Sequence, residues 1–203
     1  MDIQTISNWL GTGSINVFGR PFAGKDTVCK KLADKFDGIV LGGGDIFRNT
    51  VIPEHVKRII EAGNLAPTQD FIDIVVPYLS KQEFEDSPLI LSSVGRWIGE
   101  EGGVLRAARE SGHPLRAIIY LDISDTAAHN RLTRSLSSGD RARVDDHPEI
   151  LEKRFKEFTT KTLPVIDEYE KLGLLIRIDG MQSPEVVFQT IVDELANRAS
   201  ASR

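Results

Sequence analysis

The segment Gly19-Arg20-Pro21-Phe22-Ala23-Gly24-Lys25-Asp26-Thr27 is the first place where residue types and spacing could do chemistry. It has the form G-x-x-x-x-G-K, with a threonine two places after the lysine. In such a loop the backbone N–H groups turn inward as an anion nest, and a following helix adds partial positive charge. Lys25 would reach the outer phosphates of a nucleoside triphosphate, and the Thr27 hydroxyl lies toward the Mg2+ side. Asp26 stands where many phosphate loops carry the Mg2+-bound Ser or Thr. A carboxylate there repels phosphate unless a cation intervenes.

Arginines recur at intervals beyond this loop: Arg48 after Gly43-Gly44-Asp45, Arg96 after Gly95, then Arg131, Arg134, Arg143 and Arg154. Phosphoryl transfer is mostly positioning and charge stabilisation, so it calls for cations converging from separate segments. Plainer readings stand beside this one. Arg154 has Glu152 and Glu157 for surface ion pairs. Arg131 and Arg134 fit a solvated helix face. Asp145-Asp146 would serve as an N-cap for a helix starting near Pro148.

The elements that must position these residues alternate short apolar runs with longer helical patterns. Strands are expected at 15–18, 39–41, 88–91, 117–121 and 174–178. Helices are expected at 27–36, 53–62, 69–79, about 103–111, 125–133 and 184–196. Gly42-Gly43-Gly44 reads as the end of the second strand, and 199–203 as a frayed end. Residues 1–13 precede the first strand, with Trp9 available to pin them to the body. Five strands separated by helices predict an α/β fold, a parallel sheet with helices on both faces. Residues 136–146 are rich in Ser, Gly, Asp and Arg and read as a segment able to close over a site.

The chain has 203 residues, 40% hydrophobic and 27% charged, which fits one globular domain. Its net charge of −5 argues against a general nucleic-acid surface. Arginines nonetheless outnumber lysines, 15 to 10, a hint of planar anion recognition. The single cysteine, Cys29, forms no internal disulfide or cysteine-based zinc site, and the four histidines show no ligand spacing. Apolar runs fall far short of the ~20 residues that span a bilayer, and the start lacks a secretory pattern. A cytoplasmic protein is expected.

Together these segments resemble the adenylate kinases and their relatives, the nucleoside monophosphate kinases of the short-lid type. The loop is similar to the family's G-x-P-x-x-G-K-x-T. Gly43-Gly44-Asp45-Ile46-Phe47-Arg48 stands where the family has Thr-Gly-Asp-x-x-Arg. Glu61-Ala62-Gly63-Asn64-Leu65-Ala66-Pro67 resembles its short helix exit. Gly95-Arg96 follows the third strand, where the family carries a phosphate-binding arginine. Arg143-Val144-Asp145-Asp146, with Arg154 beyond, resembles the short lid, and Ile178-Asp179-Gly180 fits the tail. The likeness covers about residues 14–197.

The resemblance implies a phosphate-loop core (about 14–43, 81–134 and 147–198), an acceptor-binding insertion (about 44–80) and a short lid (about 135–146). It implies ATP held by Gly19, Pro21, Ala23, Gly24, Lys25, Asp26 and Thr27, with Arg131 over the donor base near Gly180. It implies a nucleoside monophosphate held by Gly43, Asp45, Arg48, Arg96, Glu100, Arg143 and Arg154. Lys25, Arg96, Arg143 and Arg154 would act on the transferring group, and Asp145 and Asp146 would orient the lid arginines. Mg2+ would come with ATP, near Thr27 and Asp26. The lid lacks the long form's cysteines, so no zinc is expected. The expected reaction is ATP plus AMP giving two ADP, by a monomer with no nucleic-acid or membrane partner.

Several positions depart from the family pattern. Ser92 replaces the aspartate of Asp-Gly-Phe-Pro-Arg, and Asp26 is the candidate to supply the lost carboxylate. Phe22 replaces a common loop glycine. Gly43 replaces a threonine, and Glu100 a glutamine that matches the adenine edge. An ionised glutamate only accepts, from adenine N6, cytosine N4, or guanine N1 and N2. A UMP, CMP or GMP kinase therefore stays open, as does a nucleotide-binding protein that has lost transfer.

Overall fold

The computed structural model describes residues 3–61, 67–138 and 148–202. Arg143, Asp145, Asp146, most of the expected lid and most of the Glu61–Pro67 exit lie outside the described residues. In chain order the elements are α1 (Ile3–Leu10), β1 (Ser14–Gly19), α2 (Lys25–Phe36), β2 (Ile39–Gly42), α3 (Gly43–Arg48), α4 (Glu54–Glu61), α5 (Thr68–Leu79), β3 (Leu89–Ser92), α6 (Glu101–Glu110), β4 (Leu115–Asp122), α7 (Asp125–Ser138), α8 (Pro148–Glu157), α9 (Leu163–Lys171), β5 (Leu175–Asp179) and α10 (Pro184–Ala201). A π-helical turn, Phe158–Thr162, joins α8 to α9.

Among the described residues the strands form one sheet in the order β2-β3-β1-β4-β5, every pairing parallel. Parallel strands with both faces covered need continuous apolar sequence, and all six residues of β1 are buried. One core packs α1, α2 and α10 on one face, through Ile15, Val17, Leu32 and Ile191. The other packs α5, α6 and α9 on the opposite face, through Phe18, Val75, Val104 and Tyr169. The strand order places β1 centrally, so the loops after β1, β3 and β4 gather at the carboxyl edge, where open α/β sheets bind ligands.

The five expected strands are present, each displaced or extended by a residue or two. Two expectations need correction. Gly42-Gly43-Gly44 does not simply end a strand, because α3 begins at Gly43. The Asp45 carboxylate accepts from the Gly42 N–H at 3.0 Å, which offsets the poor helix propensity of the glycines. Residues 199–201 are helical rather than frayed. Ala199 is buried, and Arg198 donates to the carbonyls of Gly173 and Leu175, tying the last turns of α10 down. The first dozen residues hold α1, whose Ile6 and Leu10 are fully buried while Trp9 packs on the core.

Candidate active site at the carboxyl edge of the sheet

The loop from β1 to α2 is shaped by close approach. A side chain at Gly19 would meet the Ala23 Cβ at 2.9 Å and the Leu121 carbonyl oxygen at 3.2 Å. Phe22 adopts a left-handed φ of 63°, a conformation that costs a residue with a Cβ about 1–2 kcal/mol. Its position is the one where a glycine is common in similar loops. Lys25 opens α2 and is half-buried. Its ammonium donates to the Gly19 carbonyl at 2.9 Å and to the Arg20 carbonyl at 3.1 Å. Burial, with help from Arg154 and Arg96, pulls Lys25 down to about 8, against the opposing pull of Asp26. The fold thus brings Asp26, Arg96 and Arg154 within electrostatic reach of Lys25, from three separated stretches of sequence.

Arg131, on α7, sends one guanidinium nitrogen to the Gly180 carbonyl at 2.7 Å. The other reaches the carbonyls of Phe22 and Ala23 at 3.4 and 3.3 Å. It joins the loop to the turn after β5, so the expected ATP-side residues Ala23, Arg131 and Gly180 are neighbours. Gly180 itself is held by its N–H to the Asp122 carbonyl at 2.8 Å. Thr27 lies exposed in the first turn of α2, one residue beyond Asp26.

Arg96 lies exposed on the loop from β3 to α6. Gly95 has a φ of 70°, and a Cβ there would come within 2.3 Å of Val104, so only glycine serves for the turn just before Arg96. Ser93 carries a left-handed φ of 53°. The Glu100 carboxylate turns back onto this loop, accepting from the Trp97 N–H at 3.0 Å, and burial raises its pKa. Gly43 abuts the same loop, since a Cβ on it would lie 3.1 Å from the Ser93 carbonyl oxygen. Arg48 closes α3, folded back onto Asp45 at 2.7 Å.

Ser92 ends β3 within hydrogen-bonding reach of the Cys29 thiol, which burial pushes up to about 12. That thiol is therefore a packed, unreactive group rather than a nucleophile. Asp26 and Thr27 offer a carboxylate and a hydroxyl. These are hard oxygen donors of the kind Mg2+ takes while keeping waters and substrate phosphates as its other ligands, so the residues fit that ion. Among the described residues no cluster of three or more His, Cys, Asp or Glu could hold a metal.

Three supporting residues were not singled out by sequence. Arg20 is nearly buried and donates to the Ile123 carbonyl at 3.2 Å and pairs with Asp125 at 2.9 Å. It also donates to the Thr159 hydroxyl at 3.1 Å, on the π-helical turn. Lys161, on that same turn, sits 3.8 Å over the Trp97 ring, linking the turn to the Arg96 loop. π turns of this kind occur often at functional sites. Asn16 is the third. Its signal was available, since a lone amide inside an apolar strand must find partners.

A sequence model of the adenylate kinase family matches residues 17–174. The chain is 29% identical to an adenylate kinase of Agrobacterium fabrum, over 90% of this chain and 97% of that protein. It is 29% identical to one from Rhizobium meliloti, over 88% and 97% of the two chains. It is 30% identical to one from a Chelativorans species, over 89% and 97%.

Proposed function

The chain belongs to the adenylate kinase family, and on that footing we propose that it transfers the terminal phosphoryl group of ATP to AMP, giving two ADP. The observation that carries this reading is the meeting of Lys25, Arg96 and Arg154 beside a glycine-rich loop at a helix N-terminus. Four or more phosphate charges must come together for the transfer, and only converging cations make that tolerable.

Loop amides between Gly19 and Gly24 bind the donor phosphates. Lys25 leaves the Gly19 and Arg20 carbonyls for the β- and γ-phosphates, whose charge stabilises its ammonium form there. Arg96 and Arg48 hold the acceptor phosphate. Arg154, with Arg143 from the lid, neutralises the equatorial oxygens as the bond to the leaving oxygen lengthens in line with attack. No covalent enzyme intermediate is needed. Asp26 and Thr27 would hold Mg2+ through its waters, and the ion supplies charge neutralisation across the donor phosphates. Arg131 braces the loop against the Gly180 turn while it lies along the donor side. The protein acts as a monomer, with 44–80 and 135–146 closing over the two nucleotides to exclude water.

The test is an ADP-detecting assay with Mg2+–ATP and AMP, CMP, UMP, GMP or dTMP in turn. The highest kcat/KM is expected with AMP. No turnover with AMP, alongside turnover with another acceptor, would overturn the assignment of the base. A strong gain for AMP in Glu100→Gln would show that Glu100 faces the acceptor base.

A further inference from the structure

β1 is buried throughout, and Ile15, Val17 and Phe18 supply apolar packing, yet its third residue is an asparagine that is 0% exposed. Its side chain makes two hydrogen bonds to one residue. Nδ2 donates to the Val94 carbonyl at 2.7 Å, and Oδ1 accepts from the Val94 N–H at 3.2 Å. Only one orientation of the amide satisfies both bonds, so this is a directional clamp rather than a filler. The bond partner lies 78 residues away in sequence, two places before Arg96.

The clamped segment is irregular, and beyond Val94 it is held by the Glu100 carboxylate, which accepts from the Trp97 N–H at 3.0 Å. Ser93 has a φ of 53°, Gly95 of 70° and Gly99 of 97°, and no regular structure joins Ser92 to Glu101. Ser93 is held to the Val17 carbonyl through its N–H at 3.1 Å, and the Val94 side chain is buried in the core. The direction in which the chain leaves that core is set by the Val94 peptide groups, and both of these are bonded to Asn16. Gly95, which admits no side chain, then turns the chain, and Arg96 emerges.

We infer that Asn16 is a positioning residue for Arg96: it fixes the Val94 backbone, and through it the point and direction from which the Arg96 guanidinium reaches the acceptor phosphate. The inference rests on the proposed role of Arg96. Asn16 touches no substrate. Removing it leaves two buried Val94 groups without partners, and the loop shifts to rehydrate them. A displacement of about 1 Å at an anion-binding arginine is enough to weaken its contact severely.

The experiment compares Asn16→Leu, Ser14→Ala and Arg96→Ala by steady-state kinetics with each substrate varied separately, beside thermal unfolding. Ser14 is the control. It lies in the same strand, is equally buried, and loses a side-chain bond to the His113 carbonyl of 2.9 Å, but it has no connection to the Arg96 loop. Asn16→Leu is expected to raise KM for AMP about tenfold while KM for ATP stays within twofold. Ser14→Ala is expected to lower stability without moving either KM. If Asn16→Leu does not fold, Asn16→Ser is read in the same way. An AMP KM within twofold of wild type in the Asn16 variant, while Arg96→Ala raises it, overturns the inference and leaves the Arg96 reading intact. Equal weakening of both substrates, as from general loosening, also overturns it. An unchanged AMP KM in Arg96→Ala overturns the Arg96 reading and this inference with it.

Discussion

The Lys25 ammonium lies 2.9 Å from the Gly19 carbonyl oxygen, so the cation best placed to hold phosphate is bonded to the loop that would cradle that phosphate. Two carbonyls offset part of the cost of burying its charge, but not all of it. Arg154 and Arg96 nearby add repulsion, and the pKa falls to about 8. Donor phosphates would reverse each of these effects at once.

The pH dependence follows from that shift. Folding lowers Lys25 from 10.5 to about 8, so between those values the unfolded chain binds the extra proton. Stability from this group therefore rises with pH across that window, and its full cost is felt below about 8. Lys25→Met is expected to melt higher than wild type near neutral pH, by about 3 °C, with the gap closing toward pH 10.5. ATP affinity should run the other way in wild type, level below about 8 and weakening above it. Thermal unfolding and nucleotide titration at matched pH values check both.

Asp26 and Ser92 form a second test. The carboxylate usual at the end of the third strand in similar proteins is a hydroxyl here, and Asp26 sits on the facing helix. Asp26→Asn is expected to raise the Mg2+ concentration for half-maximal rate several-fold while ATP affinity without Mg2+ improves. Rate measurements across a Mg2+ series decide it, and an unchanged profile at full activity contradicts the role.

Backbone strain around Arg96 gives a paired prediction. Gly95→Ala meets Val104 at 2.3 Å and a φ of 70°, so a loss of about 2–3 kcal/mol is expected. Ser93→Gly relieves a left-handed φ of 53°, and after the added chain entropy a gain of about 0.5 kcal/mol remains. Denaturant unfolding of both variants measures the difference in sign.

Much of this was legible in sequence, for reasons that differ by element. The run at 117–121 read as a strand covered on both faces because its apolar pattern is continuous rather than alternating. The phosphate loop was legible because glycine spacing before a helix has one main use. α3 was not, because three glycines hide a helix start that depends on the Asp45 carboxylate. The clustering of Lys25, Arg96 and Arg154 was expected only through resemblance, since no local rule joins residues so far apart. The π-helical turn that aims Thr159 and Lys161 leaves no mark in composition. Asn16 carried a readable signal, a lone amide in an apolar strand, that was not singled out, and nothing in sequence marked its partner Val94.

α7 and α8, the helices on either side of residues 139–147, are linked by His129, which stacks on Phe155 at 4.3 Å and meets Glu152 at 3.1 Å. The Asp125 carbonyl and then Glu152 raise the His129 pKa. A raised histidine stabilises the fold below its unfolded value and loses that contribution as pH rises through its folded one. An NMR titration is expected to place His129 above 6.5, with Glu152→Gln moving it down. A histidine at or below its ordinary value would contradict the link.

The central claim is that the cations around Lys25 carry phosphoryl transfer between ATP and AMP. Its most direct test is ADP formation from saturating Mg2+–ATP and AMP by wild type and by Lys25→Met. Wild type should form two ADP for each AMP consumed, and the variant should fall about 10²-fold or more in kcat. No ADP from folded wild type that binds nucleotide, or an undiminished rate in Lys25→Met, would contradict it.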